Sequence, residues 1–233
     1  MNNLTALKNE IKKQGNPKKA KILAGFFKTG KGHYGEGDIF AGIKVPQSRQ
    51  LALKYKHLSL VDVKKLLASK IHEERLIALL ILVHNFEHGS KAEKTKIYKF
   101  YLNSAKFVNN WDLVDLSADK IVGEYLLNRP KAILNKLARS ENLWERRIAM
   151  VATYQFIKNH QFAKTLEIAK KLLSDRHDLI HKAVGWMLRE VGKSDEKTLV
   201  QFLDKYRQQM PRTTLRYAIE RFPERRRRGY LAR

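Results

Sequence analysis

The sequence predicts an all-α protein, an α-α superhelix of HEAT-like repeats with a concave basic groove. Three observations lead there. Apolar residues recur with a helical period along nearly the whole chain, and no stretch shows the alternation of a strand. Short turns separate the helical segments. Finally, Arg75-Leu76-Ile77-Ala78, Arg147-Ile148-Ala149-Met150 and Lys182-Ala183-Val184-Gly185 open similar helices, the second and third 35 residues apart, while Trp111 and Trp144 lie 33 apart. Helix pairs repeating at roughly 35 to 45 residues form solenoids, whose concave side is a ready groove for a duplex.

In chain order, Leu4, Leu7 and Ile11 begin a first helix, and Asn16-Pro17 ends it. A second follows from Lys19 to Lys28. Residues 30–45 are the one clear interruption, GKGHYGEGDIFAGIKV. Gly30-Lys31-Gly32-His33-Tyr34-Gly35 fits the letters of a dinucleotide fingerprint, but that motif needs a strand before it and a helix after it. An amphipathic helix precedes it here, so the segment reads as a flexible loop able to drape over phosphates. Pro46 occupies a favoured first-turn position of the next helix, to Leu53. Helices are then expected over 59–69, 72–86, 91–102, 111–127, 130–140, 144–159, 161–174, 179–191, 196–209 and 211–230. Residues 1–233 read as a single domain ending in a basic segment, 221–233, whose Arg221 and Arg225-Arg226-Arg227-Arg228 form either a solvated face or a phosphate contact.

Composition narrows the function. The 233 residues include 47 Lys+Arg against 23 Asp+Glu, a formal net charge of +24, which argues for a polyanionic partner. The absence of Cys excludes disulfides, a thiol nucleophile and finger-type zinc sites. The first residues alternate Lys with short apolar residues and lack the apolar core of a signal peptide, so a cytoplasmic location is expected. No uncharged apolar run reaches 18 residues, and no membrane partner is expected. His84/His88 and His177/His181 have the i, i+4 spacing of metal ligands. Neither pair is H-E-x-x-H, since Asn85 and Asp178 follow the first His, and no metal is assigned. There is no G-x-S-x-G and no Walker A loop.

Three patches remain, and they hold all three tryptophans. Trp111 and Asp115 share a face of one helix, an aromatic plane beside a carboxylate. Trp144 sits with Arg147, three residues on. Lys182, Trp186 and Arg189 follow i, i+4, i+7 spacing. Each Trp alone is explicable as core, and Asp112 or Asp115 as a favourable charge near a helix N-terminus. Tryptophans beside cations on three helices of a curved stack look more like a groove wall.

At these residues the chain resembles the AlkD-type bacterial DNA alkylation repair proteins, the HEAT-like alkylpurine DNA glycosylases. The matching stretches are Asn110-Trp111-Asp112-Leu113-Val114-Asp115, Asn142-Leu143-Trp144-Glu145-Arg146-Arg147 and Lys182-Ala183-Val184-Gly185-Trp186-Met187-Leu188-Arg189-Glu190, with a looser match at Phe40-Ala41-Gly42-Ile43-Lys44-Val45-Pro46 and Arg49. The resemblance covers about residues 16–190. It implies excision of 3-methyladenine and 7-methylguanine from duplex DNA, by a monomer needing no cofactor and no obligate protein partner. It places the catalytic carboxylate on Asp115, the groove tryptophans on Trp111 and Trp186, and backbone-gripping arginines on Arg147 and Arg189. Lys182, Phe26 and Trp144 complete the expected DNA contacts. Phe26 stands where an aromatic with a hydroxyl can occur, and the loop at 30–42 is longer than the family pattern. The alternatives are a non-catalytic scaffold that binds unusual DNA structures and, last, a protein-interaction solenoid.

Overall fold

The computed structural model describes residues 3–232. Among them the architecture is all-helical, and the one β-type pairing is an isolated bridge between Ile39 and Ile71. No helix of the described residues is long and apolar enough to cross a membrane. Contacts divide the chain into two compact units, residues 1–117 and 118–233.

The first unit is built around the helix His72–His88. Its apolar residues surround the axis: Leu76, Ile77, Leu79, Ile81, Leu82 and Phe86 are all buried. A helix apolar all round must be covered on every side. Val45–Lys54, Leu60–Leu67 and Lys91–Asn103 pack against it, and Asn3–Gln14 adds Leu7 and Ile11 to the core. The helix starts follow their caps. Asn16 accepts from the Lys19 N–H at 3.0 Å before the helix Pro17–Phe26. Ser59 accepts from the Asp62 N–H, and Ser90 with Glu93 forms a reciprocal capping box.

The loop at 30–45 is not loose over its second half. The Ile39 N–H donates to the Lys70 carbonyl at 3.0 Å, and the His72 N–H donates to the Ile39 carbonyl at 2.8 Å. The N–H groups of Ala41, Gly42 and Ile43 all donate to the buried Glu73 carboxylate, at 2.8, 2.8 and 3.3 Å. Gly42 has φ +83, and a Cβ there would stand 2.2 Å from the Asn16 carbonyl oxygen, so only glycine fits. This corrects the expectation of a flexible loop.

The second unit is organised by the helix Asp178–Ser194. Ile180, Ala183, Val184, Met187, Leu188 and Val191 form its buried face. Leu143–Val151, Phe162–Leu172, Glu196–Tyr206 and Arg212–Ala218 pack on it. The approach of Arg212–Ala218 is close at Gly185, where a Cβ would lie 2.5 Å from Tyr217 Cβ.

Three expected helices are broken. The segment 111–127 is a short helix Trp111–Asp115, a turn, a π-helical turn Asp119–Gly123 and a final turn Glu124–Leu126. Ser117 Oγ donates back to the Leu113 carbonyl at 2.6 Å, which competes with the helical ladder. A Cβ on Gly123 would come within 2.3 Å of the Ala152 carbonyl oxygen. The segment 144–159 breaks after Val151, where Thr153 Oγ1 donates to the Met150 carbonyl at 2.7 Å. The segment 211–230 stops at Ala218 and restarts as Glu224–Leu231 after Pro223, which cannot continue a helix.

Candidate active site

In the first unit, Asn110 sets the start of the helix Trp111–Asp115. Its Oδ1 accepts from the Trp111 N–H at 2.8 Å, and its Nδ2 donates to Asp38 at 3.3 Å. Leu113 and Val114 are buried, which leaves Trp111 and Asp115 half-exposed one turn apart. Trp111 is backed by aromatic rings. It stacks on Phe27 (5.1 Å between centroids, 20° between planes) and meets the edge of Phe26 at 5.9 Å. Phe27 stacks in turn on Phe40 at 5.1 Å, and Phe40 on His72 at 4.6 Å. Such contacts contribute on the order of 1 kcal/mol each beyond burial, and they fix the indole plane. Phe26 is 63% exposed, so one aromatic face there is open to solvent. A pocket of about 410 Å³ opens beside this stack, between Leu23, Phe27, Phe40, Ile43, His72 and Asp112.

Beneath the stack lies a buried ionic network. His72 Nε2 is 2.8 Å from Asp112 Oδ2, and His72 Nδ1 is 3.3 Å from Asp38 Oδ2. Arg75 donates to the same Asp38 oxygen at 2.7 Å. Burial works against a charged His72, but its bonds to Asp112 and Asp38 prevail and raise its pKa above the ordinary value. Burial likewise opposes ionised Asp38, yet the His72 bond and Arg75 hold its pKa below the usual carboxylate range. Among candidate site residues, this network was missed in the sequence. Its signal was available: His72-Glu73-Glu74-Arg75 puts four polar residues directly before an apolar run.

In the second unit, Lys182, Trp186 and Arg189 line one half-exposed face of the helix Asp178–Ser194. Lys182 pairs with Asp178 at 2.7 Å. Arg189 pairs with Glu190 at 3.2 Å and with Glu220. Trp186 lies 6.1 Å from the ring of Tyr154, an aromatic that carries Lys158 over its face. Two expected contacts need correction. Trp144 is 8% exposed and belongs to the core, so it offers no groove face. Arg147 is 5% exposed and donates to the Leu179 carbonyl at 2.5 Å, near the start of the helix Asp178–Ser194. Both follow from packing of Leu143–Val151 on that helix, which sequence spacing cannot see.

The histidine pairs have local roles. His88 Nδ1 bonds to the His84 carbonyl, and His177 caps the helix Asp178–Ser194 through the Leu179 N–H.

The described residues are thus an all-helical protein of formal net charge +24, with a half-exposed tryptophan on one helix of each unit. The chain belongs to the DNA alkylation repair enzyme family, whose model matches residues 7–222. Two solved structures share the fold. One is described as a predicted DNA alkylation repair enzyme from Enterococcus faecalis, with TM-score 0.71, 19% identity, and coverage of 91% of this chain and 98% of the other. The second is AlkD2 from Streptococcus mutans, with TM-score 0.57, 18% identity, and coverage of 78% and 91%. No curated protein sequence matches significantly.

Proposed function

We propose that this protein is a monofunctional DNA glycosylase that hydrolyses the N-glycosidic bond of cationic alkylated purines, 3-methyladenine and 7-methylguanine, in duplex DNA. The observation that carries the reading is the helix Trp111–Asp115, which sets an aromatic-backed indole and a half-exposed carboxylate one turn apart. Membership of a DNA alkylation repair family and a charge of +24 support the substrate class.

An N3- or N7-alkylated purine already carries positive charge. Its bond to C1′ breaks with both electrons going to the base, which departs neutral and needs no general acid. The deoxyribose left behind is oxocarbenium-like, and a carboxylate beside it stabilises that charge, as in glycoside hydrolysis. Asp115 takes this role and orients the water whose oxygen bonds to C1′ as its proton passes to solvent. Trp111 in the first unit and Trp186 in the second each offer an indole for cation–π and CH–π contact with nucleotides, on the order of 1 kcal/mol apiece. Arg189, Lys182 and Phe26 contribute to the grip on the backbone. Arg147 acts through the helix it holds.

The test is release of 7-methylguanine from methylated duplex, measured with wild type and Asp115→Asn. The variant is expected to lose roughly a hundred-fold or more of turnover while keeping its DNA affinity. Full activity in the variant overturns the role of Asp115. Tight binding by wild type with no base release overturns the enzyme reading and leaves a DNA-structure-binding scaffold.

A further inference from the structure

We propose that His72 is a positioning residue: held between Asp38 and Asp112, its ring locks the Gly-rich loop to the short helix that carries Trp111 and Asp115, and the site works only while that lock is closed. The inference rests on the glycosylase reading above.

The geometry leaves the ring little choice. Its side chain is 2% exposed, and each nitrogen faces a carboxylate oxygen, at 2.8 Å and 3.3 Å. With Asp38 and Asp112 ionised, the ring meets both only as an imidazolium that donates from both nitrogens; a neutral ring keeps Asp112 and takes Arg75 on Nδ1 at 3.5 Å in place of Asp38. Arg75 lies 3.5 Å from Nδ1, the longest of these contacts, and is itself paired with Asp38 at 2.7 Å. Two carboxylates and two cations thus compensate one another in the interior, where any one left alone would be costly. The groups facing the ring come from three elements: Asp38 from the loop, Asp112 from the Trp111 helix, and Arg75 from its own helix.

Each end of the lock bears on the site. Asp112 lies between Trp111 and Asp115 in the chain, and its other oxygen accepts from the Leu113 N–H at 2.9 Å. Asp38 also receives Asn110, the residue that caps this helix. From above, Phe40 stacks on His72, and Phe27 lies 5.0 Å from His72 and stacks on Trp111. A helix of five residues has too few internal hydrogen bonds to hold its own orientation. The ring therefore supplies what the helix lacks. Loss of its proton turns Nδ1 into an acceptor, which turns from Asp38 to the Arg75 guanidinium, and the contact with the loop opens.

The experiment has two arms on the full chain. Nitrogen-15 NMR of the His72 ring is expected to show an imidazolium that persists above the ordinary histidine value of 6.5. Single-turnover release of 7-methylguanine from methylated duplex, followed from about pH 5.5 to 9.5 for wild type and His72→Gln, is expected to fall on the alkaline side in wild type as the ring titrates. In His72→Gln that fall should vanish and the rate drop roughly ten- to hundred-fold, with DNA affinity nearly unchanged. A ring that loses its proton at or below 6.5, or a variant with wild-type rate and pH profile, overturns the proposal. If the variant does not fold, the wild-type ring and its pH–rate profile decide alone. Asp115→Asn run alongside separates the two readings: full activity there sinks the glycosylase assignment, while the NMR arm still tests the lock.

Discussion

Replacing Glu73 by alanine should release the Gly-rich loop and cost about 4 kcal/mol of stability. The Glu73 carboxylate accepts from Ala41 and Gly42 at 2.8 Å and from Ile43 at 3.3 Å. Hydrogen bonds to a charged acceptor contribute about 1.5–3 kcal/mol each when buried, and the third is long enough to count for less. Water that enters after truncation recovers part of the sum, which brings roughly 6 kcal/mol down to about 4. For a chain of this size, that corresponds to a fall of roughly 10 °C in Tm. The negative charge also lies in the first turn of the helix His72–His88, where it is favoured by the helix dipole. Glu87→Ala, at the exposed C-terminal end of the same helix, serves as control and should move stability by less than about 0.5 kcal/mol. Amide exchange gives the local readout. Protection should collapse at Ala41, Gly42 and Ile43 and persist in the buried amides of Asp178–Ser194. A Glu73→Ala protein within about 1 kcal/mol of wild type, with those three amides still protected, would refute the argument that this carboxylate holds the loop.

Two further predictions concern charge. His72 has a raised pKa, so its contribution to stability is complete below the ordinary value of 6.5 and is lost as pH rises through the folded value. Asp38 has a lowered pKa, so its contribution is present above 3.8 and is lost as pH falls through the folded value. Denaturant unfolding of wild type across that range should therefore show stability declining at both ends, with the alkaline decline absent in His72→Gln. In the second unit, Glu220→Gln should raise affinity for plain duplex by up to about five-fold, measured by fluorescence anisotropy at fixed salt.

Much of the local structure was legible because it rests on short-range chemistry. Helix starts were expected at Pro46 and near residues 59, 91 and 111; in the structure Pro46, Ser59, the Ser90/Glu93 box and Asn110 satisfy or avoid backbone groups within one turn at those starts. The i, i+4, i+7 spacing put Lys182, Trp186 and Arg189 on one face, and they share it. What failed needed knowledge of neighbours across the chain. Trp144 and Trp111 open similar amphipathic segments, yet one is sealed under the helix Asp178–Ser194 while the other rests half-exposed on Phe27. Arg147 and Arg189 are the same residue type on helical faces, but Arg147 finds the Leu179 carbonyl and is drawn inside. The continuous helix expected over 111–127 breaks at Leu116-Ser117 and is π-helical over Asp119–Gly123; Ser117 bonds to Leu113 one turn away, whereas Gly123 meets Ala152 some thirty residues on. Only the first of those was readable locally.

The Glu220 prediction also bears on how a charge of +24 becomes affinity. Counted as free cations, Lys182 and Arg189 would each displace a condensed counterion and add about 0.9 to the salt slope of DNA binding. They are not free. Lys182 holds Asp178, and Arg189 holds both Glu190 and Glu220. A phosphate arriving at Arg189 must exchange with a carboxylate and leave that carboxylate beside a polyanion. Glu220 is half-exposed, so solvent screens its pair and the exchange costs only a fraction of a kcal/mol up to about 1. Glu190 is buried and also holds Lys193 at 2.8 Å, so it stays with Arg189 and orients the guanidinium. Glu220→Gln then removes the competing charge and spares the orienting one. Affinity should rise and the salt slope steepen by less than one unit. Unchanged affinity and slope in Glu220→Gln would mean that Arg189 meets no phosphate, and the backbone grip would have to be sought on other cations of the chain.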